Sequence, residues 1–381
     1  MRIVLYSGAM AKDRDGVTKT LHELITSIKE AGHDLMLWNS EIKIGKICGL
    51  DVNRAPSRPL ILYPDYRLGF YGPIIKSKLD QFDADVFHIA TPDVIGYNFL
   101  KYARKRSIPV VSVYHTDFLS YLKYYHKILF RLLNDVGWRY GRWFYNKCTA
   151  VFVPTERIRR QLQEHGIRNT EIWSRGIHLD QYNLLFRTDS LRREWGMENK
   201  FVILYVGRFV WYKDLRVLIN IYMRIKELGL RNIGFVLAGS GPIEDELRKT
   251  MPEAIFPGYL VGQDLSKVYA SSDLLLHPST TETFGNVLLE AMASGIPVVV
   301  ADRGGCPEVV EKSGGGLIAK SWQIGSFINC IIKLKNDREF YSRCRESGLA
   351  FAQKQSWQEI NSVILNEYSR LARKYRSKSH S

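Results

Sequence analysis

Short runs of β-forming residues alternate with longer helical patterns along almost the whole chain. In the first half, the predicted strands cover residues 3–7, 35–38, 86–90, 110–114 and 151–154. The alternation then restarts, with predicted strands at 201–206, 234–238, 274–277, 298–301 and 316–318. Repeated β-α alternation produces parallel sheets joined by right-handed crossovers. Two such series predict an α/β fold with two doubly wound, Rossmann-like domains that face one another across a crevice.

The domain limits follow from the interruption of this pattern near residues 175–195. A length of 381 residues suits two domains, each with its own core. We expect an N-terminal domain over 1–178 and a C-terminal, ligand-binding domain over 179–356. A last helix and basic tail would occupy 357–381, with the C-terminal helices crossing back to the first domain.

The net charge of +15 is concentrated in one region of the sequence. Residues 96–160 hold 13 Lys or Arg against three Asp or Glu, together with many Tyr, Trp and Phe. Basic groups interleaved with aromatic rings suit an anionic membrane surface. A packed pair of helices explains the same composition, and nucleic acid is a third, less favoured partner. We expect membrane contact and no nucleic-acid binding.

The cysteines and the N-terminus indicate a cytoplasmic chain. The five cysteines are scattered and form no C-x-x-C pair, which favours reduced thiols over disulfides or zinc. The first eight residues resemble a strand followed by a glycine turn, not a signal peptide. No apolar run approaches the roughly 20 residues that span a bilayer. We therefore expect a cytoplasmic protein on the inner face of the membrane.

The most specific motif contains two carboxylates eight positions apart, Glu282 and Glu290. A Phe284-Gly285-Asn286 turn and Val287 lie between them, and Gly295-Ile296-Pro297 ends the helix. At about 1.5 Å per residue, Glu290 would lie roughly two turns below the helix start. The free N–H groups at the start attract phosphate. This layout suits an extended ligand with hydroxyls at both ends and phosphate in the middle.

Three glycine-containing turns follow predicted strands or precede a predicted helix. After the strand that ends at 206, Gly207 and Arg208 are followed by Lys213, and the two cations could neutralise a diphosphate. Gly239 opens a Gly-Ser-Gly-Pro turn, which lacks the G-x-G-x-x-G fingerprint. Gly16 precedes the first helix. Surface ion pairs and ordinary turns explain these features almost as well.

His115 follows the strand at 110–114, where ligands of such sheets bind. A ligand contact and a structural role are equally open for this residue. Two Asp-x-Asp triplets, at 13–15 and 83–85, hint at a metal-bound nucleotide, but such triplets are common by chance. We therefore expect no metal site and no required cofactor.

Taken together, these motifs resemble glycosyltransferase family 4, the retaining enzymes of the GT-B fold, over nearly the whole chain. The stretch from Glu282 to Glu290 is similar to the family's Glu-x7-Glu signature. The segments 114–118, 173–177 and 281–286 resemble the branch that contains lipid mannosyltransferases and sulfoquinovosyl-diacylglycerol synthases. The resemblance implies a nucleotide-sugar donor, GDP-mannose or a UDP-hexose, and a lipid or lipid-linked acceptor.

The resemblance also implies a role for each matching residue. Arg208 and Lys213 would hold the donor diphosphate, Glu290 the ribose, and Glu282 the sugar hydroxyls. His115 would contact the transferred sugar. Backbone contacts would come from two further sets, Phe284, Gly285, Asn286 and Val287 at the sugar and phosphates, and Tyr259 and Leu260 at the base. The family's N-terminal Gly-Gly turn is Asp15-Gly16 here, so Gly16 keeps the close approach to the backbone and a carboxylate precedes it.

Several functions stay open at this level. The same fold serves sugar-nucleotide epimerases, and a transferase could use a soluble glycan as acceptor. A basic nucleic-acid-binding module is the non-enzymatic alternative. We favour a retaining hexosyltransferase in glycolipid or cell-envelope glycan synthesis, in which the leaving phosphate accepts the proton of the acceptor.

Overall fold

The chain divides into two units, each built on one parallel sheet. The structure is a computed structural model that describes residues 1–8, 16–40, 45–60, 63–114 and 127–379. Among these residues, the first unit takes 1–114, 127–174 and 358–379, and the second takes 175–357. The residue-level domain limits expected from the sequence stay a prediction.

The first unit contains an eight-stranded sheet in the order β10-β9-β8-β7-β1-β2-β4-β3, with β5 and β6 as a separate hairpin. All neighbouring pairs in the large sheet are parallel except β3 with β4. The strands are β1 Arg2–Ser7, β2 Asp34–Asn39, β3 Lys46–Ile47, β4 Leu50–Arg54, β5 Ser57–Leu60, β6 Tyr63–Gly69, β7 Val86–Ile89, β8 Val110–Val113, β9 Ala150–Val153 and β10 Thr170–Ile172.

The helices of this unit bury one apolar stripe each, as helical periodicity requires. They are α1 Gly16–Glu30, α2 Pro73–Phe82, α3 Val94–Lys105, α4 Lys127–Tyr145, α5 Glu156–Glu164 and, at the end of the chain, α14 Trp357–Ser379. In α1, for example, Leu21, Leu24, Ile25 and Ile28 are completely buried. Asp93 and Thr155 cap α3 and α5 by accepting hydrogen bonds from backbone N–H groups.

From residue 358 onward, helix α14 belongs to the first unit although it follows the second unit in sequence. Tyr368 on this helix lies 2.5 Å from Nδ1 of His88 on β7, and both residues are completely buried. Burial lowers the pKa of His88 to about 3, so its ring is neutral at pH 7. The Trp173 indole also donates to Asn361 at 3.3 Å. These contacts tie the end of the chain to the first sheet, as the sequence predicted.

The second unit contains a six-stranded, wholly parallel sheet in the order β13-β12-β11-β14-β15-β16. The strands are β11 Phe201–Val206, β12 Ile233–Ala238, β13 Ile255–Gly258, β14 Leu274–His277, β15 Val298–Ala301 and β16 Gly316–Ala319. The helices are α6 Asp189–Glu194, α7 Leu215–Glu227, α8 Glu244–Thr250, α9 Gly262–Ala270, α10 Asn286–Ala293, α11 Cys306–Ser313, α12 Ile324–Asn336 and α13 Arg338–Gln353.

The strand order locates the place where this sheet can bind a ligand. Numbered within the unit, the strands run 3-2-1-4-5-6, the doubly wound order. In such sheets strands 2 and 3 are added on one side of strand 1, and strands 4 to 6 on the other. Ligands bind at this switch point, outside the carboxyl ends of strands 1 and 4. Here these strands are β11 and β14. The loops that follow them, 207–214 and 278–285, therefore hold the first candidates for a site.

The predicted α/β class and the two parallel sheets are confirmed. Sequence periodicity did not predict β3, β4, β5 and β6, which are short or form local antiparallel pairs. It also did not predict β10 and β13, short strands at the edges of the two sheets. Helix α12 begins at Ile324 and not earlier, because Trp322 has a left-handed backbone (φ 60°) that a helix excludes.

Candidate active site

An ion pair between Lys213 and Glu282 joins the two loops at the switch point of the second sheet. Lys213 ends a short 3-10 turn, Trp211–Lys213, and Asp214 follows it in a left-handed conformation. The Asp214 carboxylate accepts hydrogen bonds from the backbone N–H of Thr280 at 2.9 Å and from its hydroxyl at 2.7 Å. The loop after β11 is therefore fastened to the loop after β14 at a second point beside the ion pair.

The charges of this pair are largely shielded from solvent, with side-chain exposures of 18% for Lys213 and 19% for Glu282. Burial alone would raise the pKa of Glu282. The Lys213 charge and the hydrogen bond with His277 outweigh burial and hold this pKa well below its usual range. Glu282 is therefore ionised at neutral pH, and removing its cation would leave a partly buried charge without compensation.

Two glycines of the loop after β15 support the backbone at Glu282. The N–H of Gly305 donates to the Glu282 carbonyl at 2.7 Å. A Cβ atom at Gly305 would lie 1.8 Å from the Thr283 carbonyl oxygen, and one at Gly304 would lie 2.5 Å from that of Glu282. Only glycine allows this approach, so the position of Glu282 depends on both loops.

Helix α10 begins at Asn286, after Gly285 with φ 87°. Glu290 is thus four residues into the helix, about one turn from its start. The two turns expected from the sequence are wrong, because residues 280–285 form a loop braced by the glycines of the next loop. Phe284 packs in the core with 4% exposure, whereas Asn286 and Val287 are half-buried at the helix start.

The second carboxylate, Glu290, is almost completely buried and has a dedicated partner. The Tyr269 hydroxyl donates to Oε2 of Glu290 at 2.7 Å. Tyr269 is itself held edge-on by Tyr182, with ring centroids 5.7 Å apart. The orientation of Glu290 is therefore fixed by packing as well as by its place on α10.

The other predicted residues of the second unit lie at the ends of neighbouring strands. Gly207 follows β11 with φ 152°, and Arg208 is exposed beside it. A Cβ atom at Gly239 would lie 2.0 Å from the Gly207 carbonyl oxygen, so this glycine permits close packing of two backbones. After β13, the Tyr259 side chain is exposed and Leu260 is half-buried.

The structure describes only one of the two predicted site residues from the first half of the sequence, Gly16. Gly16 is the first residue of α1, and its carbonyl accepts a hydrogen bond from the Thr20 hydroxyl at 2.8 Å. His115 lies outside the described residues. Within the described ranges, no group of three or more His, Cys, Asp or Glu side chains is arranged to hold a metal ion.

Sequence reasoning missed His277 and Tyr269, which contact the two carboxylates. It also missed Asp214, which holds the loop at Thr280. His277 ends strand β14, so the strand-end rule that selected His115 could also have selected it. Asp214 directly follows Lys213, and its position next to a candidate site residue was only a weak indication of its role. The contact of Tyr269 with Glu290 connects two helices and needs the tertiary structure.

The fold and the sequence profiles that match the two units define a glycosyltransferase of the GT-B type. The sequence profile described as "Glycosyl transferases group 1" matches residues 187–350, and "Glycosyltransferase Family 4" matches residues 14–181. Together the two profiles span most of both units. The chain belongs to glycosyltransferase family 4, which confirms the resemblance stated from the motifs.

Individual proteins give the same result. The chain is 26% identical over 375 residues to a GDP-mannose-dependent alpha-mannosyltransferase of Corynebacterium glutamicum, covering 97% of this chain and 89% of the relative. It is 25% identical to an alpha-monoglucosyldiacylglycerol synthase of Streptococcus pneumoniae, covering 78% and 70%. The crystal structure of Anabaena Alr3699/HepE with UDP and glucose superposes with a TM-score of 0.75 at 19% identity, covering 97% and 99%.

The packing at Gly305 generates a prediction about stability. Gly305→Ala would force the new methyl group against the Thr283 carbonyl, and overpacking of this kind costs about 1–3 kcal/mol. Gly325→Ala is the matched control, because a Cβ atom there meets nothing within 4 Å and lies in helix α12. Urea unfolding should show a lower midpoint for Gly305→Ala and an unchanged or higher one for Gly325→Ala. Equal midpoints would contradict the packing described.

Proposed function

We propose that this chain is a retaining hexosyltransferase that moves a sugar from a nucleotide diphosphate sugar to a lipid or lipid-linked acceptor. The observation that carries the proposal is the Lys213–Glu282 pair at the switch point, with Glu290 one turn into the adjacent helix. Cationic groups and carboxylates therefore lie together at this edge of the sheet. A nucleotide-sugar offers phosphates to the cations and hydroxyl-bearing rings to the carboxylates.

The diphosphate would be held by charge and by backbone N–H groups. Arg208 and Lys213 supply two cations, and the start of α10 adds the N–H groups of a helix N-terminus. Gly207, Gly239 and Gly285 would let the ligand approach the backbone closely. The Lys213 ammonium contacts Glu282 in the ligand-free protein. When the donor binds, it would contact both Glu282 and the phosphate.

The carboxylates would hold the two sugar rings of the donor. We assign the transferred sugar to Glu282 and the ribose to Glu290, with the base near Tyr259 and Leu260. Phe284, Asn286 and Val287 would offer backbone contacts. His115 and Gly16 in the first unit keep the sugar and substrate contacts that family resemblance implies for them.

The chemistry follows from where charge develops. The bond between the anomeric carbon and the phosphate oxygen breaks while the acceptor oxygen attacks from the same face, and a phosphate oxygen takes the acceptor's proton. Arg208 and Lys213 would stabilise the negative charge on the leaving group. Glu282 is engaged by Lys213 and His277, which supports a binding role over that of a covalent nucleophile.

Donor and acceptor are proposed from the relatives. The C. glutamicum relative is named for GDP-mannose and the S. pneumoniae relative for a diacylglycerol product. We therefore place GDP-mannose first and a UDP-hexose second as donor, with a glycolipid as product. Transfer to a soluble glycan and epimerisation of the donor are the alternatives.

A transfer assay tests this function. Purified chain incubated with radiolabelled GDP-mannose or UDP-glucose and a lipid extract should produce a labelled glycolipid. Arg208→Ala should reduce the rate by at least about tenfold, because it removes a charged contact to phosphate. Arg224→Ala, which breaks only an exposed pair with Glu227, should leave the rate unchanged.

Other products would decide against the proposal. Label in a soluble oligosaccharide would overturn the lipid acceptor, and isomerised donor without transfer would indicate an epimerase. Equal rates in Arg208→Ala and the wild type would remove the phosphate role of Arg208.

A cluster of exposed rings on the first unit supports contact with a membrane. Tyr97 on α3 stacks on Trp143 of α4 with centroids 5.5 Å apart, and Tyr140 stacks on the same indole at 5.9 Å. The Lys147 ammonium lies 5.2 Å from the Trp143 ring. All three rings are 36–41% exposed. We name Tyr97, Tyr140, Trp143 and Lys147 the aromatic surface.

The surroundings of the aromatic surface are basic. Exposed Lys or Arg side chains lie on both helices, at Lys101, Arg104 and Lys105 of α3 and at Arg139 and Arg142 of α4. Each basic group near an anionic bilayer adds about 1 kcal/mol, and Trp and Tyr rings favour the headgroup level. Other aromatic residues of the same region, including Tyr114, Phe144 and Tyr145, are core. None of the described helices has the length and apolarity to cross a bilayer.

We propose that the aromatic surface rests on an anionic membrane, so that the protein is peripheral on the inner face. Flotation with phosphatidylcholine vesicles should recover the wild type only when phosphatidylglycerol is present, and Tyr97→Ser with Trp143→Ser should reduce that recovery severalfold. Trp322→Ser, in the second unit, removes a more exposed indole beside Arg303 (51% against 41% for Trp143) and should have no effect. Recovery unchanged by the double substitution, or salt-sensitive retention on nucleic acid instead of vesicles, would contradict the membrane contact.

A further inference from the structure

His277 is a buried histidine that neither the sequence motifs nor the family resemblance assigned to the site. It ends strand β14, and its side chain is 3% exposed. Its Nε2 atom lies 3.3 Å from Oε1 of Glu282. The ring is nearly parallel to that of Tyr205 on β11, at 9° and a centroid distance of 6.2 Å. Both strands that flank the switch point therefore hold the imidazole in place.

Both protein contacts of the Glu282 carboxylate fall on the same oxygen. Lys213 and His277 both approach Oε1. Across the described part of the chain, no hydrogen bond reaches Oε2, and the side chain retains 19% exposure. The carboxylate is thus held through one oxygen, while the other is directed to solvent and can accept a hydrogen bond from a ligand.

The tautomer of His277 follows from this geometry. Oε1 of an ionised carboxylate only accepts hydrogen bonds, so Nε2 carries the proton that it donates. Nδ1 has no partner among the described residues. The opposite tautomer would set a lone pair against the carboxylate and leave an N–H buried without an acceptor, which costs more free energy.

We propose that His277 is a positioning residue that keeps Oε2 of Glu282 directed at a hydroxyl of the donor sugar. This inference rests on the proposed function. Arrival of a diphosphate would draw the Lys213 ammonium toward phosphate and weaken its hold on Oε1. The hydrogen bond from His277 is independent of the ligand, so it keeps the carboxylate oriented while the donor is bound.

Calorimetric titrations of the intact chain with nucleotides test this role. GDP and UDP report the nucleotide contacts, and GDP-mannose and UDP-glucose add the sugar contact. His277→Phe should weaken the binding of GDP-mannose or UDP-glucose about tenfold, which is the effect of losing a hydrogen bond to a charged group. The affinity for GDP or UDP without the sugar should not change. His277→Gln should restore most of the affinity, because its amide N–H replaces Nε2–H.

Tyr269→Phe is the matched control, since it removes one buried hydrogen bond from the other carboxylate, Glu290. It should lower the affinities for GDP and GDP-mannose, or for UDP and UDP-glucose, by the same factor. If His277→Phe does not fold, His277→Asn replaces it, because that side chain is too short to reach Oε1.

Three results would overturn the inference: equal losses for nucleotide and nucleotide-sugar in the His277 variants, no loss for either, or failure of His277→Gln to restore affinity. Wild-type protein that binds none of the four ligands would instead overturn the proposed function, and the inference with it.

Discussion

The arrangement of the second unit's switch point depends on the ion pair between Lys213 and Glu282. It joins the loops after β11 and β14, and Asp214 and Gly305 fix those loops on either side. A partly buried ion pair needs close geometry to offset the loss of hydration. The surrounding structure provides it through a left-handed aspartate, a buried histidine and two glycines that admit no Cβ atom. Little of this set could change without displacing Glu282.

In this arrangement the carboxylates would bind the sugar rings of the donor, and the cations would neutralise its phosphates. Lys213 and His277 hold Glu282 through one oxygen, and the Tyr269 hydroxyl donates to Glu290. Both carboxylates are therefore oriented before a ligand arrives, which lowers the entropic cost of binding. In the proposed reaction the cations stabilise the leaving phosphate, and the carboxylates contribute through binding.

The sequence predicted the parallel sheets and the pair of glutamates because both have strong local signatures. Strands such as 298–301 are continuous apolar runs between helices, and the turn before Asn286 contains an obligatory glycine. It did not predict that Lys213 contacts Glu282, which is 69 residues away, or that Tyr269 orients Glu290. Those contacts depend on how strands are ordered in the sheet. The helix start was misplaced because the packing of Gly304 and Gly305 against 282–283 keeps that segment in a loop.

A double-mutant cycle on Lys213 and Glu282 tests most directly the claim that one ion pair organises the donor site. The affinity for GDP-mannose, or for UDP-glucose if that is the donor, would be measured in Lys213→Ala, Glu282→Ala and the double variant. We predict that the double variant loses less affinity than the two single losses combined, by at least about 1 kcal/mol, because each single change leaves the other charge uncompensated. Losses that add within about 0.5 kcal/mol would contradict the account.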